Sequence, residues 1–393
     1  MQNARILYIN NLKTAKEEVR KVNVDADGIH WIAQKAVHIC MKLENLNAYA
    51  ANVIKQEMLE EGGDVAISRG IAESSVSKSD ILIMGTLSQY NRLIYKIRVQ
   101  VPVLQRIADE IEKLLIVVEK GKPQYFKCGN HKLPIGEKTI IMGILNITPD
   151  SFSDGNTYGD IESAIKRAKQ MVEEGANIID IGGESTRPGY NPVDAITEIN
   201  RVIPLIEKLA TEIQVPISVD TSKAIVAKKS LQAGAQIIND VWGLQKDPNM
   251  AKVIAESGAG VVMMHNQDDE KYNDVMGDII KFLKQSIEIA CGSGINIENM
   301  IIDPGIGFGK SLENNLEVMR RLKELDTLNL PVLLGTSRKS LIGSVLDLPT
   351  SERLEGTAAT ITMGISNGVD IVRVHDVREM ARVARMTDAM VRA

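Results

Sequence analysis

Aromatic side chains are scarce in this chain, 4% of its 393 residues with four Phe and two Trp, so stacking platforms for nucleic-acid bases are few. A basic excess is missing too. The 46 Lys and Arg against 51 Asp and Glu leave a formal charge of −5, which argues against electrostatic attachment to nucleic acid. An anionic ligand therefore has to be held by a few placed cations. Only three cysteines occur, Cys40, Cys128 and Cys291, too widely spaced for a disulfide framework or a CxxC metal motif, and they read as ordinary reduced thiols. No apolar run reaches the ~18 residues of a membrane span. The first twenty residues mix Lys13, Lys16, Glu17, Glu18 and Arg20 with short apolar stretches, unlike a secretory leader. A soluble, cytoplasmic protein is expected, with no nucleic-acid or membrane partner.

What is present is an alternation. From about residue 139 onward, short β-branched runs alternate with amphipathic stretches of helical period, the mark of βα units and a parallel sheet. The strand candidates are 139–146, 177–183, 216–221, 236–242, 260–266, 300–304, 331–336 and 371–375. Eight such units predict an α/β fold, a closed (β/α)8 barrel over residues 139–393. A barrel takes about 250 residues, so a second, smaller unit is expected ahead of it. Residues 1–120 read as a small α/β domain: strand-like Ile6 to Ile9, helical stretches near 29–44 and 48–61, the second stopped by Gly62-Gly63, a strand at 79–86 and a helix near 101–118. Residues 121–138, rich in Gly and Pro, read as a linker with a short hairpin. Stripes such as Ile161, Ala164, Ile165, Ala168, Met171 and Val172, or Met380, Val383, Ala384 and Met390, read as core or subunit contacts.

In a parallel barrel the chemistry sits at the C-terminal ends of the strands, and here nearly every strand ends on a polar group. The series runs Asn146, Glu184 to Arg187, Asp220, Asn239 with Asp240, His265 with Asn266, Asp303, Ser337 to Ser340, and Arg373 with His375. Arg187, Lys339, Arg373 and His375 are cations suited to an anionic substrate or leaving group. Asp220, Asn239 and Asp303 suit the donor and acceptor edge of a heterocycle. One site could hold a polar ring and a phosphate-like group together.

Two tempting motifs fail on position. DPGIGFGKS at 303–311 has Pro304 where a GxxxxGK[ST] phosphate loop needs Gly, which leaves a flexible loop with Lys310 expected at the solvent-exposed end. His265 has no HxH or HxxxH partner and reads as a hydrogen-bonded strand end, not a zinc ligand. His30 and His38 read as ordinary residues of one helix.

GILNITPDSFSD at 143–154 and GGESTRPG at 182–189 resemble the two signature segments of the dihydropteroate synthases, a family of pterin-binding TIM barrels. SVDTSKA at 218–224, IINDVWG at 237–243, MMHN at 263–266, DPGIGFGK at 303–310, GTSRKS at 335–340 and RVHDV at 373–377 resemble the family's strand ends, in its order. The resemblance covers about residues 124–393. It implies condensation of 6-hydroxymethyl-7,8-dihydropterin pyrophosphate with 4-aminobenzoate to 7,8-dihydropteroate and pyrophosphate, with Mg2+ as cofactor, in a sulfonamide-sensitive homodimer. It further implies that Asp220, Asn239, Asp303 and Lys339 hold the pterin edge, with Met264 and Arg373 on the two faces of its ring. Asn146, Arg373 and His375 would hold the pyrophosphate, Asn146 also approaching the metal. Thr186, Arg187, Pro188, Phe308, Lys339 and Ser340 would line the aminobenzoate pocket, and Phe152 and Asp154 would belong to a mobile loop, Asp154 with a catalytic part.

Two alternatives stand beside it. A pterin-dependent methyltransferase uses a related barrel, but TPDSF at 148–152 and SRKS at 337–340 favour the synthase. A degenerate pterin-binding or regulatory protein would be expected to have lost some of these polar positions, and none is lost. Residues 1–120 have no counterpart in the minimal family member, and the residues there offer no phosphate loop or ligand cluster.

Overall fold

The inward and outward faces of the barrel strands alternate with period two, and that alternation decides where the chemistry stands. In the computed structural model, residues 3–73, 75–147, 157–184 and 193–392 are described. The chain divides into two compact units, 1–121 and 122–393.

The first unit contains α1 (Leu12–Lys21), α2 (Ala26–Ala36), β1 (His38–Asn47), α3 (Ala48–Glu60), β2 (Asp64–Ile67), α4 (Arg69–Ala72), β3 (Lys78–Thr86), α5 (Leu87–Arg98) and α6 (Pro102–Lys120). Its three strands form an antiparallel sheet in the order β1-β3-β2. Along β3, Ile81 and Ile83 are buried while Asp80 and Leu82 are exposed, so one face packs into a core with Ile54, Met58, Leu93, Ile97, Leu104 and Ile111. A capping box starts α5: Gln89 N donates to Thr86 Oγ1 and Thr86 N donates to Gln89 Oε1 at 2.7 Å.

Two expectations for this unit are corrected. Residues 6–9 form no strand, and Ile6 and Tyr8 are largely exposed. The helix expected over 29–44 ends at Ala36, because Met41 and Leu43 are buried between exposed Cys40, Lys42 and Glu44; that alternation is a strand's, not a helix's. His30 and His38 thus lie on different elements.

The second unit opens with the hairpin β4 (Tyr125–Cys128) and β5 (His131–Pro134). The barrel strands follow: β6 (Ile140–Asn146), β7 (Ile178–Gly182), β8 (Ile217–Asp220), β9 (Ile237–Asp240), β10 (Gly260–Met264), β11 (Met300–Asp303), β12 (Leu333–Leu334) and β13 (Ile371–Val374). Between and after them run α7 (Thr157–Glu174), α8 (Ala195–Glu212), α9 (Ala224–Gln232), α10 (Met250–Ser257), α11 (Val275–Gly292), α12 (Leu312–Arg321), α13 (Ser340–Leu346), α14 (Leu354–Ser366) and α15 (Val377–Val391). All eight strands lie where the sequence indicates them. The sheet is parallel in the order β11-β10-β9-β8-β7-β6-β13-β12, and an Ile302–Val332 bridge joins its two ends.

Outward residues such as Ile179, Ile181, Val219, Ile238, Val261, Ile302 and Val372 pack under the helices. Inward residues near the strand starts, Ile140, Met142, Ile178, Ile237, Val262, Ile301, Leu333 and Ile371, form a separate apolar floor with Phe126, Cys128 and Ile135 of the hairpin segment. Gly260 opens β10 there, since a Cβ would stand 2.4 Å from Phe126 Cζ. On β7, β9, β11 and β13 the inward character changes to polar two residues further along, at Asp180, Asn239, Asp303 and Arg373, and on β8 the inward Ser218 and Asp220 are both polar. The floor is dry and the mouth is charged.

Candidate active site

Arg373 organises the mouth. Its Nε donates to Asp180 Oδ2 at 2.6 Å and its second terminal nitrogen to Asp220 Oδ2 at 2.8 Å. Asn239 Nδ2 donates to the same Asp180 Oδ2 at 3.3 Å. Inward positions on the neighbouring strands β7, β8 and β9 are thereby tied to one on β13, which lies on the other side of β6 from β7, and all of them are buried or nearly so. Burial works against the guanidinium, but the two carboxylates outweigh it and Arg373 stays charged. Burial pushes Asp220 up to about 7, Arg373 pulling it down and Asp180 pushing it further up.

On the other side of the mouth, Asp303 ends β11 and accepts the Gly305 N–H at 2.7 Å; burial raises its carboxyl and Lys339 opposes that rise. Lys339 Nζ donates to the Ile306 carbonyl, stands 4.5 Å from the centre of the Phe308 ring, and comes within 3.8 Å of the Cβ position of Gly335. Burial lowers its ammonium to about 8, with Asp303 holding it up. Ser340 begins α13 and is exposed. Met264 is buried at the end of β10. Asn146 ends β6 beside Gly182, where an added Cβ would lie 3.1 Å from Asn146 Oδ1. Beyond β13, Ser337 Oγ lies 3.0 Å from His375 Nδ1 and accepts the His375 backbone N–H at 3.2 Å.

The structure therefore brings Asp220, Asn239, Asp303, Lys339 and Arg373 to one mouth, with Phe308 against Lys339. Phe152, Asp154, Thr186, Arg187 and Pro188 lie outside the described residues. One expectation is reversed: Lys310 is 6% exposed, not solvent-facing. Its ammonium is held inside the loop by Gly305 and Phe308 carbonyls and by His265.

Asp180 is absent from the sequence candidates because those sit at strand ends, and it lies inside a strand. A signal exists all the same: it is the lone charge in the otherwise apolar Ile178–Gly182. Glu198, fully buried and paired with Lys223, which also meets Glu184, is a second such group.

A parallel barrel thus carries carboxylates, a carboxamide and two cations at one charged mouth. The sequence profile of the family described as pterin binding enzyme matches residues 142–375. A dihydropteroate synthase of Clostridium beijerinckii is 52% identical over 267 residues, 68% of this chain and 99% of the relative. The crystal structure of dihydropteroate synthase from Clostridium difficile in the presence of pteroic acid superposes with a TM-score of 0.65 at 56% identity, covering 66% of this chain and 99% of that one. A probable bifunctional folylpolyglutamate synthase/dihydropteroate synthase of Halobacterium salinarum is 39% identical over 389 residues, 97% of this chain but 46% of the relative. That alignment takes in the first unit as well. The chain belongs to the pterin binding enzyme family. Within it, the chain falls among the dihydropteroate synthases, transferases of folate biosynthesis.

Proposed function

We propose that the barrel mouth binds (7,8-dihydropterin-6-yl)methyl diphosphate and joins it to 4-aminobenzoate, giving 7,8-dihydropteroate and diphosphate. The observation that carries this is the convergence of Asp220, Asn239, Asp303 and Lys339 with a doubly paired Arg373. Asp220, Asn239, Asp303 and Lys339 meet the ring's donor and acceptor edge. Met264 and Arg373 lie against its faces, and Asn146, Arg373 and His375 receive the diphosphate. Phe308, Lys339 and Ser340 line the aminobenzoate side. The pteroic acid present with the related Clostridium difficile enzyme is itself a pterin joined to aminobenzoate.

The chemistry needs no protein nucleophile. Electron release from the dihydropterin ring breaks the bond between the exocyclic carbon and the diphosphate oxygen. The arylamine nitrogen then bonds to that carbon and loses a proton to water or the diphosphate. The carboxylates favour the ring while it is cationic, and Arg373 and His375 favour the departing anion. Exclusion of water protects the cation from hydrolysis.

Among the described residues, no group of three or more His, Cys, Asp or Glu side chains is gathered that could hold a metal. The Asn146 carboxamide nevertheless fits Mg2+, an ion that keeps waters and is held by one or two protein oxygens plus substrate phosphates. When bound it supplies neutralising charge on the diphosphate.

We also propose a cytoplasmic homodimer. Cys40, Cys128 and Cys291 are free thiols, which suits a reducing compartment. Among the described residues no helix is long and apolar enough to cross a membrane. Met363 of α14 and Met386, Met390 and Val391 of α15 are exposed apolar side chains of the kind a subunit contact covers; light scattering tests it. We assign the chemistry to 139–393 and none of it to 1–120. Diphosphate release on mixing the two substrates with Mg2+ tests the whole proposal. Binding of the pterin substrate without release would leave only a binding protein.

A further inference from the structure

Asp180 is a charged residue in the interior of a barrel strand, not at its end. It lies between Ile178 of the floor and Gly182 beside Asn146, all three on the inward face of β7. Its neighbours in register are Ile144 of β6 and Ser218 of β8. It is fully buried, so it lies behind the groups that meet a ligand. One oxygen, Oδ2, accepts from both Arg373 Nε and Asn239 Nδ2. The other, Oδ1, has no partner among the described residues, and neither have Asp220 Oδ1 and Ser218 Oγ.

These contacts settle two orientations, that of Asn239 and, together with Asp220, that of Arg373. An ionised carboxylate accepts and cannot donate. It therefore turns the NH2 end of the Asn239 carboxamide toward itself, and Asn239 Oδ1 is left to accept from a ligand donor. Without that anion the two ends of the carboxamide are nearly equivalent in shape, and the flipped amide would offer donors to the ring's own donors. For Arg373, one carboxylate takes Nε and another takes a terminal nitrogen, which fixes the guanidinium plane. The faces of that plane and its remaining N–H groups are directed by default.

We infer that Asp180 is a positioning residue for the pterin half of the reaction, setting the Asn239 carboxamide and the Arg373 guanidinium through Oδ2 without touching substrate itself. This rests on the function proposed above. It assigns nothing to Asp180 on the aminobenzoate side, where Phe308, Lys339 and Ser340 stand on other elements.

The test is steady-state kinetics of the full chain carrying Asp180→Asn, which keeps the shape but lets either end of the new amide face Asn239. The expected result is a loss of roughly ten- to a hundredfold in kcat/KM for the dihydropterin diphosphate, as for one charged hydrogen-bond partner removed. KM for 4-aminobenzoate should stay within about twofold and the melting temperature close to that of the unmodified chain. A purely structural role would not move one further quantity. Asp180 helps to push the Asp220 carboxyl up, along with Glu198 and against Arg373 and Lys339, so the Asn variant should shift the Asp220-dependent limb of pterin affinity toward lower pH. Asp180→Glu keeps the charge but moves it by one methylene; it should hold that pH midpoint while still losing pterin efficiency.

Wild-type pterin kinetics in Asp180→Asn would overturn the inference, as would an equal loss toward both substrates with an unmoved pH midpoint. If the Asn variant does not fold, unchanged pterin kinetics in Asp180→Glu would overturn it instead. An unmodified chain that releases no diphosphate overturns the function and this inference together, whereas a variant result against an active wild type bears on Asp180 alone.

Discussion

Lys310 Nζ stands 2.9 Å from Nδ1 of His265, and its other two bonds go to the carbonyls of Gly305 at 2.9 Å and Phe308 at 3.0 Å. Three ammonium donors thus meet three acceptors in a buried place. The loop that carries Lys310 can close over His265 because Gly305 has a φ of +69° and no Cβ; a Cβ there would lie 1.9 Å from the His265 carbonyl oxygen. Burial, aided by the Lys310 charge, lowers the imidazole to about 3, and burial also lowers Lys310 to about 7, with Asp303 opposing.

A pH dependence of folding follows from His265. Its folded value lies below the ordinary 6.5, so between about pH 6.5 and 3 the unfolded chain binds the extra proton. Stability from this group is complete above 6.5 and falls by about 1.4 kcal/mol per pH unit on acidification toward 3. His265→Gln carries no such proton, so its denaturation midpoint should fall less steeply over that range. Urea titrations at several pH values decide it, and parallel slopes for the two proteins would remove His265 as the cause.

Asp303→Asn and Asn239→Ala should each weaken binding of the dihydropterin diphosphate while leaving the fold intact. Both side chains face the mouth rather than the floor, and a ring that loses its buried partner forfeits roughly 1–3 kcal/mol per hydrogen bond. Calorimetry with thermal melts as control measures this. Unchanged affinity in both variants would take them out of the pocket.

The barrel was legible in the sequence because its signal is local and repeated: eight apolar runs, each closing on a polar group such as Asp220, Asn239 or Asp303. Lys310 was not, since burial of a lysine depends on three acceptors that only the folded loop assembles. Asp180 was half legible. Its charge stands out in an apolar strand, but its partner Arg373 is 193 residues away, and only the pairing of both β7 and β13 with β6 makes them neighbours. In the first unit, Val37 to Leu43 supports a helical or a strand period over so short a stretch, and the pairing of β1 with β3 chooses the strand.

A sulfonamide should compete with 4-aminobenzoate. Both present an arylamine and an acidic group of similar reach, and the ammonium of Lys339 beside the Phe308 ring offers a cation and an aromatic face to either. Initial rates at several concentrations of both compounds show the pattern. Inhibition that excess 4-aminobenzoate does not relieve would place the aminobenzoate pocket elsewhere.

The fragment 122–393 should turn over at a rate similar to the full chain at saturating substrate. Every proposed site residue lies between Asn146 and His375, and the eight strands close on one another through the Ile302–Val332 bridge. The floor is closed from within the same fragment as well, since the hairpin Tyr125–Pro134 supplies Phe126 and Cys128 to it. Lys122 itself belongs to the fragment's own framework, donating to the Gly368 carbonyl at 2.7 Å and pairing with Asp370 and Asp326 at 3.0 Å, so the cut should fall before it. Diphosphate release and a thermal melt of the purified fragment measure the two consequences separately. A soluble, cooperatively melting fragment that binds the pterin substrate yet forms no dihydropteroate would show that residues 1–121 take part in the chemistry after all.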